Sequence, residues 1–185
     1  MRHTADTMPV TLWPAGIELR PVVEQLAQFY RHDMSEFLGH LPAEDGRFGF
    51  RSLPLFFEEP GREALLIRYG EAPGGFVLTW RMPEGATSIS AFFVVRALRR
   101  RGVGRRAALQ VLRSRPGPWA IAFQQANEGA ARFWRGIATA AVGSDWHEET
   151  RPVPPPAPAS LPDDHWLFLN TATTVQPSRD PSVDS

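Results

Sequence analysis

Apolar and polar positions alternate with two different periods along this chain, and the changes of period divide it into elements. A short β-prone run at 10–13 comes first. Val22, Leu26, Phe29, Tyr30 and Phe37 then recur at spacings of three, four or seven, which predicts one face of a helix from about Glu18 to Leu38. Pro21 is tolerated in its first turn, where the missing N–H has no helical partner to lose. GHLPAEDGRFGF reads as a loop, and LPLFFEEPG supports a single helical turn before Pro60 and Gly61 stop it. The segments ALLIRY (64–69) and GFVLTW (75–80) flank the turn GEAPG, which makes a hairpin. A third strand, TSISAFFVVR (87–96), runs almost without alternation after Ala91, as expected when both faces are covered.

The period turns helical again over 103–115. Val103, Ala107, Ala108, Val111 and Leu112 share one face, while Arg106, Gln110 and Arg113 share the other, and Pro116-Gly117-Pro118 ends the helix. A strand at 119–123 (WAIAF) leads to Asn127, the N-cap of a helix whose apolar face is Ala130, Phe133, Trp134 and Ile137. Two further β-like stretches lie around Trp146 and at 165–170. The prolines of the segment between them, 152–162, predict an extended surface loop. The tail, 171–185, is polar enough to be disordered. The expected organisation is a leader at 1–9, one mixed α/β domain at 10–170 and that tail.

Composition narrows the chemistry. Cysteine is absent, which removes disulfides, thiolate metal sites and a cysteine nucleophile. Lysine is absent as well, so neither a Schiff base nor a lysine general base is available. The five histidines show no ligand spacing, and no metal site is expected. Twenty basic and twenty acidic residues cancel, so any polyanion site must be local and nucleic-acid binding is not expected. No apolar run approaches the roughly 20 residues that cross a bilayer, and MRHTADTMPV lacks the apolar block of a secretory leader. The expectation is a cytoplasmic protein with no membrane partner.

Against that neutral background RALRRRGVGRR, residues 96–106, holds six arginines and two glycines between a buried strand and an amphipathic helix. Glycines at such a junction let the backbone turn tightly with several N–H groups in one concavity. The helix adds its own unpaired N–H groups and the positive end of its dipole. The product is an anion nest suited to a diphosphate, with neighbouring arginines to pair a further phosphate. It is not the dinucleotide fingerprint, whose first glycine is missing, and it is not a Walker loop, which requires lysine. A merely solvated basic face is the competing reading.

Arg99-x-x-Gly102-x-Gly104, followed by Asn127-x-x-Ala130 with Phe133 and Trp134 just beyond, resembles the two signatures of the GNAT acyltransferases. FYRHDMSEF, EDGRFGF, GGFVLTW, AFFVVRALRRRGVG and ARFWR are similar to a branch of predicted bacterial acetyltransferases in that superfamily. The resemblance implies a mixed, mostly antiparallel sheet of six or seven strands, splayed in the middle and flanked by about four helices. It implies acetyl-CoA, or another acyl-CoA, as co-substrate and a small-molecule amine as acceptor, with direct transfer and no acyl-enzyme. The pantetheine arm would bond the backbone near Phe93, Val94 and Val95. The diphosphate would rest on the N–H groups of Arg101, Gly102, Val103, Gly104, Arg105 and Arg106, within reach of the Arg99, Arg100 or Arg105 side chains. Asn127 and Phe133 would complete the site. Dimers are common among such proteins, so a homodimer is compatible with the resemblance.

Two positions depart from the family pattern. Trp134 stands where many members place a tyrosine that returns a proton to the CoA thiolate, and Ala91 stands where relatives often carry a glutamate. Tyr30, Asp33 and Glu36 on the first helix are the substitute candidates for proton handling, beside Trp134 itself. The alternative function is a CoA-binding protein of this fold with lost or repurposed catalysis.

Overall fold

The computed structural model describes residues 8–124, 126–152 and 163–172. The expected leader, proline-rich loop and tail lie largely outside these residues. Seven strands and four helices follow one another as β1 (Val10–Pro14), α1 (Arg20–Leu38), α2 (Leu55–Glu58), β2 (Arg62–Tyr69), β3 (Ala72–Arg81), β4 (Thr87–Val94), α3 (Val103–Ser114), β5 (Pro118–Gln124), α4 (Glu128–Val142), β6 (Trp146–Arg151) and β7 (Asp164–Asn170). The strands form one open sheet in the order β1-β2-β3-β4-β5-β7-β6. Every pairing is antiparallel except β4 with β5.

The sheet has a core on each face, which is why its central strands read as unbroken apolar runs. Phe76 and Leu78 of β3 join Val23, Leu26 and Ala27 of α1 and Phe56 of α2 on one side. Val77, the residue between them, joins Val103, Ala107, Val111 and Leu112 of α3 and Ile137 of α4 on the other. α1 differs from its sequence expectation: Val23 and Ala27 are buried, whereas Phe29 is 59% exposed. The reason is rotation, since a face centred one residue away satisfies nearly the same spacing. The hairpin turn is also tighter than GEAPG suggested. Tyr69 pairs with Ala72 across Gly70 and Glu71, with Gly70 at φ 59°, and a register shift beside Arg68 accommodates Pro73.

The architecture turns on a single irregularity in β4. Leu78 pairs with Ala91 and Thr79 with Ile89, so Ser90 is an extra residue opposite β3. A bulge bends its strand. β4 pairs with β5 only at Thr87, Ser88 and Ile89, and beyond the bulge the two strands part. The sheet is therefore splayed from Ser90 onward, between two strands whose other partners remain in register.

At the far edge, Glu148 of β6 ties the last hairpin to α4. Its carboxylate accepts two hydrogen bonds from Arg135, at 2.8 and 2.7 Å, and one from His165 Nδ1 at 2.6 Å. The Arg135 hydrogen bonds hold its carboxyl down to about 2, with His165 adding to them against the opposing effect of burial. A carboxyl held below its ordinary 4.5 stabilises the fold above that pH, and this contribution is lost as pH falls toward 2. Thermal melts should show it. Glu148→Gln is expected to lower stability at pH 7 by on the order of 1 kcal/mol after solvent screening. Its melting temperature should then fall less steeply than the wild type's across that acid window.

Candidate active site

The splay opens a cleft of about 510 Å³ whose walls come from α1, β4, the β4–α3 connection and the start of α4. Its floor is the free side of β4. The amide of Val95 donates to Gly74 O at 2.9 Å, so by strand alternation Val95 and Phe93 direct their backbone groups toward β3, and Phe92 and Val94 direct theirs into the gap. Of the three backbone positions expected from the sequence, Val94 faces the gap while Phe93 and Val95 face β3, and Phe92 faces the gap beside Val94. Side chains alternate as well. Phe93 packs with the α1 core, and Phe92 meets Phe133 and Trp134 at ring distances of 5.6 and 5.3 Å.

At one end of the cleft lies the arginine–glycine segment. After Val94 the chain makes a turn of 3-10 helix at Arg96–Leu98, and Arg100 and Gly102 then adopt positive φ, 59° and 74°. A left-handed arginine costs roughly 1–2 kcal/mol, so the surrounding contacts hold this loop against local preference. Gly102 is the N-cap of α3 and provides no side chain to cap it. The first helical bond is from Arg106 N–H to Gly102 O, at 3.0 Å. The N–H groups of Val103, Gly104 and Arg105 consequently precede the ladder at the positive end of the helix, and of these residues Gly104 and Arg105 line the cleft. Arg106, included in the expected cradle, has its amide committed to the helix.

Gly104 faces the cleft on the opposite side from Phe133. A methyl group there would meet Phe133 at 3.5 Å and Val94 at 3.7 Å, which is ordinary contact. Neither backbone strain nor crowding requires glycine at this position.

The arginines separate into distinct roles. Arg100 and Arg105 line the cleft and make no ion pair among the described residues. Arg99 donates from Nε to Val94 O at 2.8 Å, lies over the Phe93 ring and pairs with Asp33 through Nη2. Its guanidinium is a brace between β4 and α1, not a free phosphate donor. Arg101 turns away to Tyr69, with Nη2 3.0 Å from the phenol oxygen, and does not line the cleft. Val103 is fully buried in the core, and one Arg106 nitrogen is buried without a partner.

Tyr30, Asp33 and Glu36 all line the cleft from α1, and Asn127, Phe133 and Trp134 line it from the opposite wall. Asn127 accepts from Ala130 N–H at 2.9 Å, which makes it the N-cap that the sequence indicates. Trp134 is 5% exposed and packs edge-on to Phe92 and Phe133. Burial raises the Tyr30 phenol, against a smaller opposing effect of Arg31, so it stays protonated. Burial also acts to raise Asp33, but hydrogen bonds from Arg99 and Arg96 outweigh it and hold the carboxyl below its ordinary value. Asp33 is an ion-pair partner and a poor base. Met34, Phe37, Phe92, Arg96 and Gly129 also line the cleft. Met34 and Phe37 were accessible to sequence reasoning, since they stand four and seven residues beyond Tyr30 on the same helical face.

The sequence profile described as the acetyltransferase (GNAT) family matches residues 23–137, which includes the whole splayed region and both glycine and Asn127 motifs. The chain belongs to the GNAT family. The GNAT fold is found also in its structural neighbours. An acetyltransferase from Thermus thermophilus superposes with a TM-score of 0.66 at 16% identity, over 89% of this chain and 98% of that one. Diaminobutyrate acetyltransferase from Paenibacillus lautus, solved with L-2,4-diaminobutyric acid and coenzyme A, gives 0.60 at 13% identity over 91% and 99%. The ribosomal-protein-S18-alanine N-acetyltransferase of Escherichia coli gives 0.59 at 12% identity over 91% and 98%. At these identities the likeness establishes the fold. No curated protein sequence matches this GNAT chain. No helix among the described residues is long and apolar enough to cross a membrane, and they contain no cluster of three acidic or histidine side chains suited to a metal.

Proposed function

We propose that this GNAT protein transfers an acetyl group from acetyl-CoA directly to an amine of a small molecule. The observation that carries this reading is the position of the splay. It joins the unpaired helix N–H groups of Gly104 and Arg105 to an apolar chamber along the gap-facing side of β4, where the Phe92 and Val94 amides have no strand partner. A diphosphate fits the cradle, with Arg100 and Arg105 beside it, and an extended arm fits the edge. The Phe92 or Val94 amide would polarise the thioester carbonyl as the amine nitrogen attacks. The C–N bond forms, the C–S bond breaks, the thiolate departs and the nitrogen loses a proton. Tyr30, protonated and facing the cleft, is the available donor to the thiolate, and Glu36 and solvent are the available acceptors.

Titration calorimetry should give saturable acetyl-CoA binding with one site per chain. Thiol release in the presence of an amine panel should then follow. Absence of acetyl-CoA binding by the folded protein would sink the proposal. The second reading, a CoA-binding protein with lost or repurposed catalysis, is favoured by Trp134 and Ala91 at the usual acid and base positions, and tight binding without thiol release would select it.

A further inference from the structure

Asp33 joins two walls of the cleft. It stands on α1, and both of its carboxylate oxygens are engaged by arginines of the β4–α3 connection. Arg99 donates to Oδ2, and Arg99 is itself anchored, with Nε on Val94 O at 2.8 Å and the Phe93 ring 5.5 Å beneath its guanidinium. One oxygen of Asp33 is thus held by a group that is already fixed. The other, Oδ1, accepts twice from Arg96, from Nη2 at 2.7 Å and from Nε at 3.2 Å.

This second contact matters because of what Arg96 would do without it. Its side chain is 71% exposed, against 20% for Asp33. A long exposed arginine samples many rotamers, and ordering one on a ligand costs roughly two- to tenfold in affinity. With Nε and Nη2 both on Asp33, the planar guanidinium is set in place before any ligand arrives. Its Nη1 makes no hydrogen bond among the described residues, so two N–H groups remain to be used. The surroundings favour an anion. Arg96, Arg99, Arg100 and Arg105 line the cleft against two carboxylates, Asp33 and Glu36, and the unpaired N–H groups that start α3 open into the same space.

We propose that Asp33 is a positioning residue for the acyl donor: braced by Arg99, it holds Arg96 ready to pair through Nη1 with a phosphate of acyl-CoA. Asp33 touches no substrate and acts through Arg96. The inference rests on the acyl-CoA reading above and adds the α1 wall to donor binding. The diphosphate and the 3′-phosphate of acyl-CoA share this chemistry, and the choice of donors in the test separates them.

Titration calorimetry with acetyl-CoA, 3′-dephospho-acetyl-CoA and acetyl-pantetheine compares donors carrying both phosphate sites, the diphosphate alone and neither. Asp33→Asn, whose amide nitrogen cannot accept from an arginine, should weaken acetyl-CoA binding by about fivefold. Coulomb attraction alone gives the opposite sign, because removing a negative charge from the cleft would tighten an anion by about twofold. Arg96→Gln, at an exposed position where folding is not at risk, should weaken binding by about tenfold. The double variant should lose no more than Arg96→Gln alone, and acetyl-pantetheine should bind all four proteins equally. The same losses with 3′-dephospho-acetyl-CoA would support the proposal with the diphosphate as partner, and losses confined to acetyl-CoA would support it with the 3′-phosphate. Unchanged or tighter acetyl-CoA binding by Asp33→Asn would overturn it. So would additive losses in the double variant, or an equal loss with acetyl-pantetheine, which would mark a general effect on the shape of the cleft. Failure of the folded wild type to bind acetyl-CoA would instead strike the acyltransferase reading, so the two failures are distinct.

Discussion

Gly104→Asp should abolish acetyl-CoA binding, by about 100-fold or more, while leaving the protein as stable as the wild type or slightly more so. The two effects have one cause. Position 104 is the second residue of α3, where the helix N–H groups lack partners and no side chain caps them. A carboxylate there supplies the missing negative charge from within the chain, which stabilises the helix terminus by roughly 0.3–1 kcal/mol and relieves glycine's helix penalty. The same carboxylate repels a diphosphate from the site it now occupies. Gly104→Ala is the control. Its methyl group has room beside Phe133 and Val94, so binding should change only a few-fold. Calorimetry and thermal melts on the two variants check the prediction, and a large loss of binding in both would point to space rather than charge as the cause.

The second large effect is expected on stability. Gly75 of β3 pairs with Val94 at the end of β4, and a Cβ at position 75 would penetrate the Phe93 carbonyl group. The obstruction is backbone on the neighbouring strand, which has no rotamer by which to yield. Gly75→Ala is therefore expected to destabilise the fold by about 3 kcal/mol or more, beyond the usual range for a single added methyl group. Urea denaturation gives the value directly. Gly85→Ala, at a turn where φ is 90° but nothing crowds the added atom, should cost less, because only backbone strain is involved. These variants separate two reasons for glycine that a sequence cannot distinguish.

Much of the fold was legible because it is local. The periods of two and of 3.6 located every strand and helix to within a few residues, and Asn127 and Gly102 marked the starts of α4 and α3. Where the boundaries moved, a neighbour decided them. β3 extends back to Ala72 because β2 offers it a partner, and β4 stops at Val94 because the chain then turns through Arg96–Leu98. The glycine turn and the unpaired N–H groups at the start of α3 were legible for the same reason: the glycines, strand and helix are contiguous, and helix-terminus N–H groups are unpaired in any context.

The uses of the individual arginines were not legible. Arg96, Arg99, Arg100, Arg101 and Arg105 are nearly adjacent in sequence and chemically identical, yet two brace Asp33, one joins Tyr69 and two line the cleft with no ion pair among the described residues. Asp33 lies 63 residues before Arg96 and 66 before Arg99, and no periodicity links positions so far apart. The bulge at Ser90 that opens the sheet is likewise silent in the sequence, since it exists only relative to β3.

By itself, then, the sequence determined a strand–glycine loop–helix unit and the order of the elements around it, because backbone geometry and hydrophobic period are properties of neighbouring residues. Tertiary structure alone decided where the sheet parts, which arginines pair across the fold and which elements wall the cleft. Those depend on charges and strands brought together from distant parts of the chain, and they become definite only when the chain has closed on itself.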